Sequence, residues 1–179
     1  LVIKVLEDDS HTILEGNIID IKHAVENNKD AAFIDRLALD KDRIEGICKT
    51  LKEIKCFDDP IGKVLASWNR PNGLKISRVA TPLGVIGLIF ESRPNVAADA
   101  GGLCLKSGNS VILKGGSEAI NTNRILAKLF RKALKINKVD ENYIQFIDSK
   151  ERKIVDIMLS KMKNYIDIII PRGGKSLVK

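Results

Sequence analysis

The chain has 179 residues, 44% hydrophobic and 30% charged, with a formal net charge of +7. That length suits one well-packed domain, or one domain with an appendage, and the composition is that of a globular protein rather than a disordered tail. Aromatic residues are only 4% and no RNA-binding aromatic motif occurs, so the excess of Lys and Arg reads as solvated helix faces or a site for a small polyanion, with no nucleic acid expected.

The amino terminus, LVIKVLEDDSHT, turns acidic at Glu7 and has neither the length nor the cleavage site of a secretory signal. Residue 1 is Leu, which points to a processed or truncated product. No apolar run approaches the roughly 20 residues that cross a bilayer, so no membrane segment and a cytoplasmic location are expected. Cys48, Cys56 and Cys104 show no CxxC or Cys/His spacing, and His11 and His23 stand apart from any ligand set. Reduced thiols and no metal follow.

Residues 1–58 read as an amino-terminal helical segment. Leu14, Ile18, Ile21 and Val25 recur at helical steps and predict one buried face. A second stripe, Ile44, Ile47, Leu51 and Ile54, predicts another, with Asp40 placed to cap its start. Asp59-Pro60 ends the helical run, since proline disfavours helix at the residue before it. Residues 59–81 read as a β-hairpin, with strands 63–68 and 74–79 joined across a turn signalled by Asn72-Gly73. Such a projecting hairpin is either a surface flap or a strand offered to another part of the protein.

Residues 82–179 read as Rossmann-like βα units. The continuous apolar run 84–90 predicts a strand buried on both faces. A helix over 96–106, a strand at 110–114 and a helix over 118–134 follow, the last with Ile125, Leu129 and Ala133 on one face. A strand at 143–147, a helix over 151–161 and a strand at 166–170 complete the series. Strands alternating with helices call for a parallel sheet with right-handed crossovers, so the fold class is α/β.

Ligands of such sheets gather outside the carboxyl ends of the strands, and three turns there are unusual. Glu91-Ser-Arg-Pro-Asn95 carries a guanidinium suited to phosphate or carboxylate and an amide able to donate to an oxyanion. Its plainer reading has Pro94 starting a helix and Arg93 paired with Glu91. Lys114-Gly-Gly-Ser-Glu118 combines glycines, which let backbone approach a ligand, with a following helix whose free amides could meet an anion. Pro171-Arg-Gly-Gly-Lys175 repeats the pattern of a strand running into glycines and basic residues. Together the last two indicate a phosphorylated cofactor.

The stretch RVATPLGVIGLIFESRPNVAADAGGLCLKSGNSVILKGGSEAINTN, Arg78 to Asn123, resembles the signature region of the gamma-glutamyl phosphate reductase (glutamate-5-semialdehyde dehydrogenase) family. The likeness extends upstream through DRLALDKDRIEGI and DPIGKVLASWNRPNGL and downstream to YIDIIIPRGGKSL. More distantly, PLGVIG and LKSGNSVILK are similar to the aldehyde dehydrogenase superfamily. The resemblance implies an aldehyde-dehydrogenase-like cofactor domain and the NADPH-dependent reduction of L-glutamyl 5-phosphate to L-glutamate 5-semialdehyde and phosphate, in proline biosynthesis. It implies a cysteine thiolate that attacks the acyl phosphate, and a thioester reduced by hydride. Lys114 matches a lysine near the adenosine ribose, where a cation favours the 2′-phosphate of NADP. Gly115, Gly116 and Ser117 belong to the same cofactor turn. Arg172, Gly173 and Gly174 match the turn that approaches the pyrophosphate and nicotinamide end, and Arg93 and Asn95 match a turn with oxyanion or substrate contacts.

The family's nucleophilic cysteine lies downstream in a glycine-rich segment followed by histidine, and nothing in this chain matches it. The catalytic domain and a carboxy-terminal oligomerisation strand are also unmatched, as is part of the first family helix. The chain is therefore expected to supply the cofactor-binding part, to lack turnover alone, and to self-associate or meet a separate catalytic half. The alternative is an inactive remnant or a dinucleotide-binding module. Gly101-Gly102 replaces alanine-like residues at about 1 kcal/mol per mid-helix glycine, which points to relaxed constraint.

Overall fold

The structure is a computed structural model and describes residues 1–174. Lys175 of the third turn and the helix expected after it lie outside the described residues.

The sheet is built around β3 (Val85–Phe90), whose apolar run is buried on both faces. Three βα units follow: α5 (Pro94–Lys106) leads to β4 (Ser110–Lys114), and a 3₁₀ turn (Ser117–Ala119) with α6 (Ile120–Ile136) leads to β5 (Ile144–Phe146). Then α7 (Lys153–Lys161) leads to β6 (Ile168–Arg172). All its pairs are parallel, as the alternation of elements predicts, and the order is β5-β4-β3-β6. The register sets Ile86 beside Val111 and Ile168. Gly84 adopts φ 115° at the entry to β3. A Cβ there would fall 2.2 Å from Oδ2 of Asp167, the carboxylate that accepts from the Val85 amide at 2.8 Å. Only glycine both takes that backbone conformation and leaves room for the strand-locking bond.

Alternation along the strands divides the core. Ile86, Leu88, Phe90, Val111 and Leu113 pack against α5, α6 and the amino-terminal helices, while Ile89 and Ile112 meet α7 through Met158. Those amino-terminal helices are α1 (Val2–Asp8), α2 (Ser10–Glu26), α3 (Ala31–Leu37) and α4 (Lys41–Cys56). On α4 the stripe Ile44, Ile47, Leu51 and Ile54 is buried, and Asp40 accepts from the Arg43 amide at 2.7 Å, a side-chain cap at the first turn.

On α2 the expected face is wrong. Ile18 and Val25 point to solvent, Leu14 and Ile21 are half-buried, and the inner face carries Ile13, Gly16, Asn17, Asp20 and Ala24. The physical reason is a buried polar network. Asp20 accepts from the Thr122 amide (2.8 Å), the Thr122 hydroxyl (2.7 Å), the Asn121 amide (3.2 Å) and the Asn121 side chain (2.8 Å). Asn17 donates to the Leu37 carbonyl and to Thr122 Oγ1, and accepts from the Leu39 amide. With every donor engaged, polar atoms are tolerated in the interior and α2 rolls them inward.

The hairpin pairs β1 (Val64–Asn69) with β2 (Lys75–Val79) antiparallel. Its turn closes by bonds from the Arg70 amide to Leu74 and from the Gly73 amide to Arg70, with Gly73 at φ 85°. Leu65, Trp68 and Leu74 are exposed, and among the described residues no third strand joins the pair.

The adjacent glycines of α5 have a packing role. A Cβ on Gly101 would meet the buried Phe130 ring at 2.9 Å, and one on Gly102 the tip of Leu51 at 2.5 Å. These glycines let α5 lie close to α6 and α4, which removes the need for relaxed constraint. A ring yields less readily than a leucine tip, while each alanine gains about 1 kcal/mol of helix propensity. Urea unfolding is expected to show Gly101→Ala destabilising by about 1 kcal/mol, with Gly102→Ala within about 0.5 kcal/mol of the parent. Equal effects would reject this packing account.

Candidate functional site

Strands β4 and β5 lie on one side of β3 and β6 on the other, so the chain changes direction across the sheet between β3 and β6. The carboxyl ends of β3 and β6 at this switch point border a crevice, the usual place for a ligand in such a sheet. Glu91, Arg93 and Val96 come to it from the β3–α5 turn, and Arg172, Gly173 and Gly174 from the end of β6, around a hollow of about 380 Å³. Two bonds fix its floor: the Glu91 amide donates to the Arg172 carbonyl at 3.2 Å, and the Gly174 amide donates to Glu91 Oε1 at 2.8 Å. Glu91 thus holds a backbone amide, and the Arg93–Glu91 ion pair does not form. Arg93 and Arg172 are both exposed there.

Asn95 faces another way. Its side chain donates to Asp99 Oδ2 at 3.2 Å, and it lines a groove against α3 and α4 with Arg36, Arg43 and Thr50. Arg93 lines both this groove and the crevice. Burial raises the Asp99 carboxyl above its ordinary range, opposed by the Asn95 hydrogen bond and by the charge of Arg172.

A larger cleft of about 630 Å³ adjoins the crevice at Glu91. Lys114, Gly115, Gly116, Ser117 and Glu118 enter it from the end of β4, Ser92 from the end of β3, and Lys150, Arg152, Val155 and Asp156 from the start of α7. The glycines are sterically required. A Cβ on Gly115 would sit 2.4 Å from Asn123 Nδ2 and 3.1 Å from the Phe90 ring, and one on Gly116 would sit 2.9 Å from Ser92 Oγ. Asn123 is wholly buried, and its amide has no partner among the described residues.

Lys114 is only 5% exposed, and its ammonium donates to the Gly115 carbonyl at 2.8 Å. Burial pushes its pKa down, against the opposing pull of Glu118. Glu118 accepts from Lys29 Nζ at 3.1 Å through one oxygen, and from the Ser92 and Ser117 hydroxyls at 3.1 and 3.0 Å through the other. Burial works against its ionisation, but the bonds from Lys29, its own backbone, Ser117 and Ser92 outweigh it and hold the carboxyl below the usual range.

One sequence expectation is corrected here. The helix after Lys114-Gly-Gly-Ser-Glu118 does not offer its first amides to a ligand, because Asp20 already accepts from Asn121 and Thr122. An internal carboxylate answers the positive end of α6.

Of the expected cofactor contacts, Lys114, Gly115, Gly116 and Ser117 meet in the larger cleft and Arg172, Gly173 and Gly174 in the crevice. Sequence reasoning assigned nothing to Lys150 and Arg152, although they follow the end of β5 and the same strand-end rule reaches them. It also missed Lys29, for which no local signal exists. Cys48 and Cys104 are buried, and burial raises both thiols, Cys104 to about 11. Among the described residues no cluster could hold a metal ion, and no helix is long and apolar enough to cross a membrane.

No family model matches the chain. It is 46% identical over 172 residues to gamma-glutamyl phosphate reductase of Syntrophomonas wolfei, a match covering 96% of this chain and 41% of that protein. A crystal structure of gamma-glutamyl phosphate reductase from Thermotoga maritima superimposes with a TM-score of 0.94 at 39% identity, covering 99% of this chain and 42% of that one. A propionaldehyde dehydrogenase from Clostridium phytofermentans shares the fold at 19% identity and a TM-score of 0.63, covering 96% of this chain and 39% of that one. The chain thus matches the amino-terminal portion of gamma-glutamyl phosphate reductases and spans about two fifths of the length of the curated relatives it matches.

Proposed function

We propose that this chain supplies the dinucleotide-binding part of an acyl phosphate reductase that uses NADPH to convert L-glutamyl 5-phosphate into L-glutamate 5-semialdehyde and phosphate. The observation that carries this reading is the pair of adjoining clefts at the strand ends, one with two exposed arginines and glycine backbone, the other with Lys114, Ser92, Ser117, Lys150 and Arg152. That set fits a phosphorylated nucleotide: cations for phosphate, glycines for close approach, and Ile89 and Val155 as apolar wall. The curated relatives carry the substrate assignment.

In this reading Arg172, Gly173 and Gly174 meet the pyrophosphate, while Lys114, Gly115, Gly116 and Ser117 form the wall near the adenosine ribose. NADPH, when bound, supplies the hydride. Arg93, shared between crevice and groove, suits the substrate's phosphate, and Asn95 stands beside it as a candidate oxyanion donor once released from Asp99. The exposed hairpin is the proposed surface for self-association or for a separate catalytic half. A second reading, a dinucleotide-binding module without turnover, is favoured by Cys48 and Cys104, whose burial disfavours the thiolate.

Titration with NADPH, followed by its fluorescence, is expected to saturate. A folded sample that does not saturate would overturn the reading. Lys114→Glu sets a second carboxylate beside Glu118 and is expected to weaken NADPH at least about tenfold more than NADH. Equal losses in a variant with unchanged circular dichroism would assign Lys114 to bracing the turn instead of meeting the 2′-phosphate.

A further inference from the structure

The larger cleft holds an acid where a polyanion is proposed to bind. Glu118 lines it and is partly buried, so water screens its charge less than at an open surface. Glu91 is occupied by the Gly174 amide. Lys114 is turned to the Gly115 carbonyl. What directly balances Glu118 is Lys29, carried by the loop between α2 and α3 and remote in sequence.

Lys29 is held in place from several sides. Asn28 before it takes a left-handed φ of 52°, and the Lys29 amide donates to the Ala24 carbonyl at 3.0 Å. Its ammonium stands 5.0 Å from the centroid of the Phe33 ring, and Phe33 itself lines the cleft. From there Nζ reaches Glu118 Oε1 at 3.1 Å, while Oε2 is taken by Ser92 and Ser117. A Glu118 so engaged is neutralised and has few lone pairs left. Freed of Lys29, its Oε1 would be unpaired and its charge unbalanced, which attracts the hydroxyls of a ribose and repels a phosphate group.

We infer that Lys29 is a specificity-determining positioning residue: by pairing with Glu118 it makes the cleft accept a phosphorylated dinucleotide in preference to an unphosphorylated one. This rests on the dinucleotide reading above. The ion pair reaches from the amino-terminal helical segment to the β4–α6 turn, so cofactor choice depends on a residue outside the Rossmann-like units.

NADPH and NADH are titrated separately by fluorescence against the parent chain, Lys29→Gln, Lys29→Arg, Glu118→Gln and the Lys29→Gln/Glu118→Gln double variant. Lys29→Gln is expected to raise the Kd for NADPH by about tenfold and that for NADH by no more than about threefold. The double variant, with neither charge, recovers NADPH to within about threefold of the parent, and Lys29→Arg keeps the parental ratio. Proportional loss of both dinucleotides in Lys29→Gln, or no recovery in the double variant, would overturn the inference and leave the dinucleotide reading intact. A parent chain that binds neither dinucleotide would overturn both. Lys29 is partly exposed, so its substitution is compatible with folding, and urea unfolding of each variant separates lost stability from lost selectivity.

Discussion

Replacing Asp20 with alanine is expected to lower the free energy of unfolding by about 4 kcal/mol, a large fraction of the stability of a domain this size. The side chain is 2% exposed and accepts four hydrogen bonds, two of them from backbone amides at the start of α6. Bonds to a charged acceptor are worth about 1.5–3 kcal/mol each, and amides left bare in the interior add their desolvation penalty. The two amides sit at the positive end of a helix, where nothing else among the described residues answers them. Asp20→Asn keeps the shape and one acceptor and is expected to lose about 2 kcal/mol. Urea unfolding measures both. A loss under about 1 kcal/mol for Asp20→Ala would show that water satisfies these amides instead. The same substitution is expected to weaken NADPH, because the start of α6 holds the turn that carries Ser117 and Glu118.

Asp20 also marks where the sequence stops being legible. The strands, their parallel sense and the three turns at their ends follow from short apolar runs alternating with helical stretches and punctuated by glycine, although the spatial order of the strands does not. The Asp40 cap and the α4 stripe are equally local. Hydrophobic periodicity, by contrast, assigns polar residues to solvent, so it turned α2 to the face of Leu14, Ile18, Ile21 and Val25. Ile18 is in fact 64% exposed. The true inner face is polar because its partners, Asn121 and Thr122, arrive from about a hundred residues downstream, a distance no local pattern spans. Lys29 and Glu118 meet for the same reason and were equally hidden. The free amides expected at the start of α6 failed because a helix end filled by the protein's own carboxylate looks, in sequence, the same as an empty one. Gly101-Gly102 looked like a helix defect until the Phe130 ring and Leu51 gave it neighbours.

Arg172→Ala is expected to weaken NADPH and NADH alike, by about thirtyfold, the equivalent of about 2 kcal/mol for one charge-assisted contact to phosphate. Arg172 ends β6 opposite Phe90 in the parallel register, and its carbonyl accepts from the Glu91 amide. Its backbone is therefore fixed, while its guanidinium is exposed in the crevice with no ion pair among the described residues. A fixed backbone at a switch point presents this unpaired guanidinium to the crevice, where its planar fork suits a bidentate anion. The pyrophosphate is common to both dinucleotides, so the loss should not discriminate between them, unlike that of Lys29→Gln. Arg172→Lys keeps the charge but loses the fork and is expected to weaken binding about fivefold. Titrations at rising ionic strength add an independent readout: binding by the parent should fall with salt more steeply than binding by Arg172→Ala. If Arg172→Ala binds both dinucleotides as the parent does, Arg172 does not meet the pyrophosphate and the proposed role of the crevice falls.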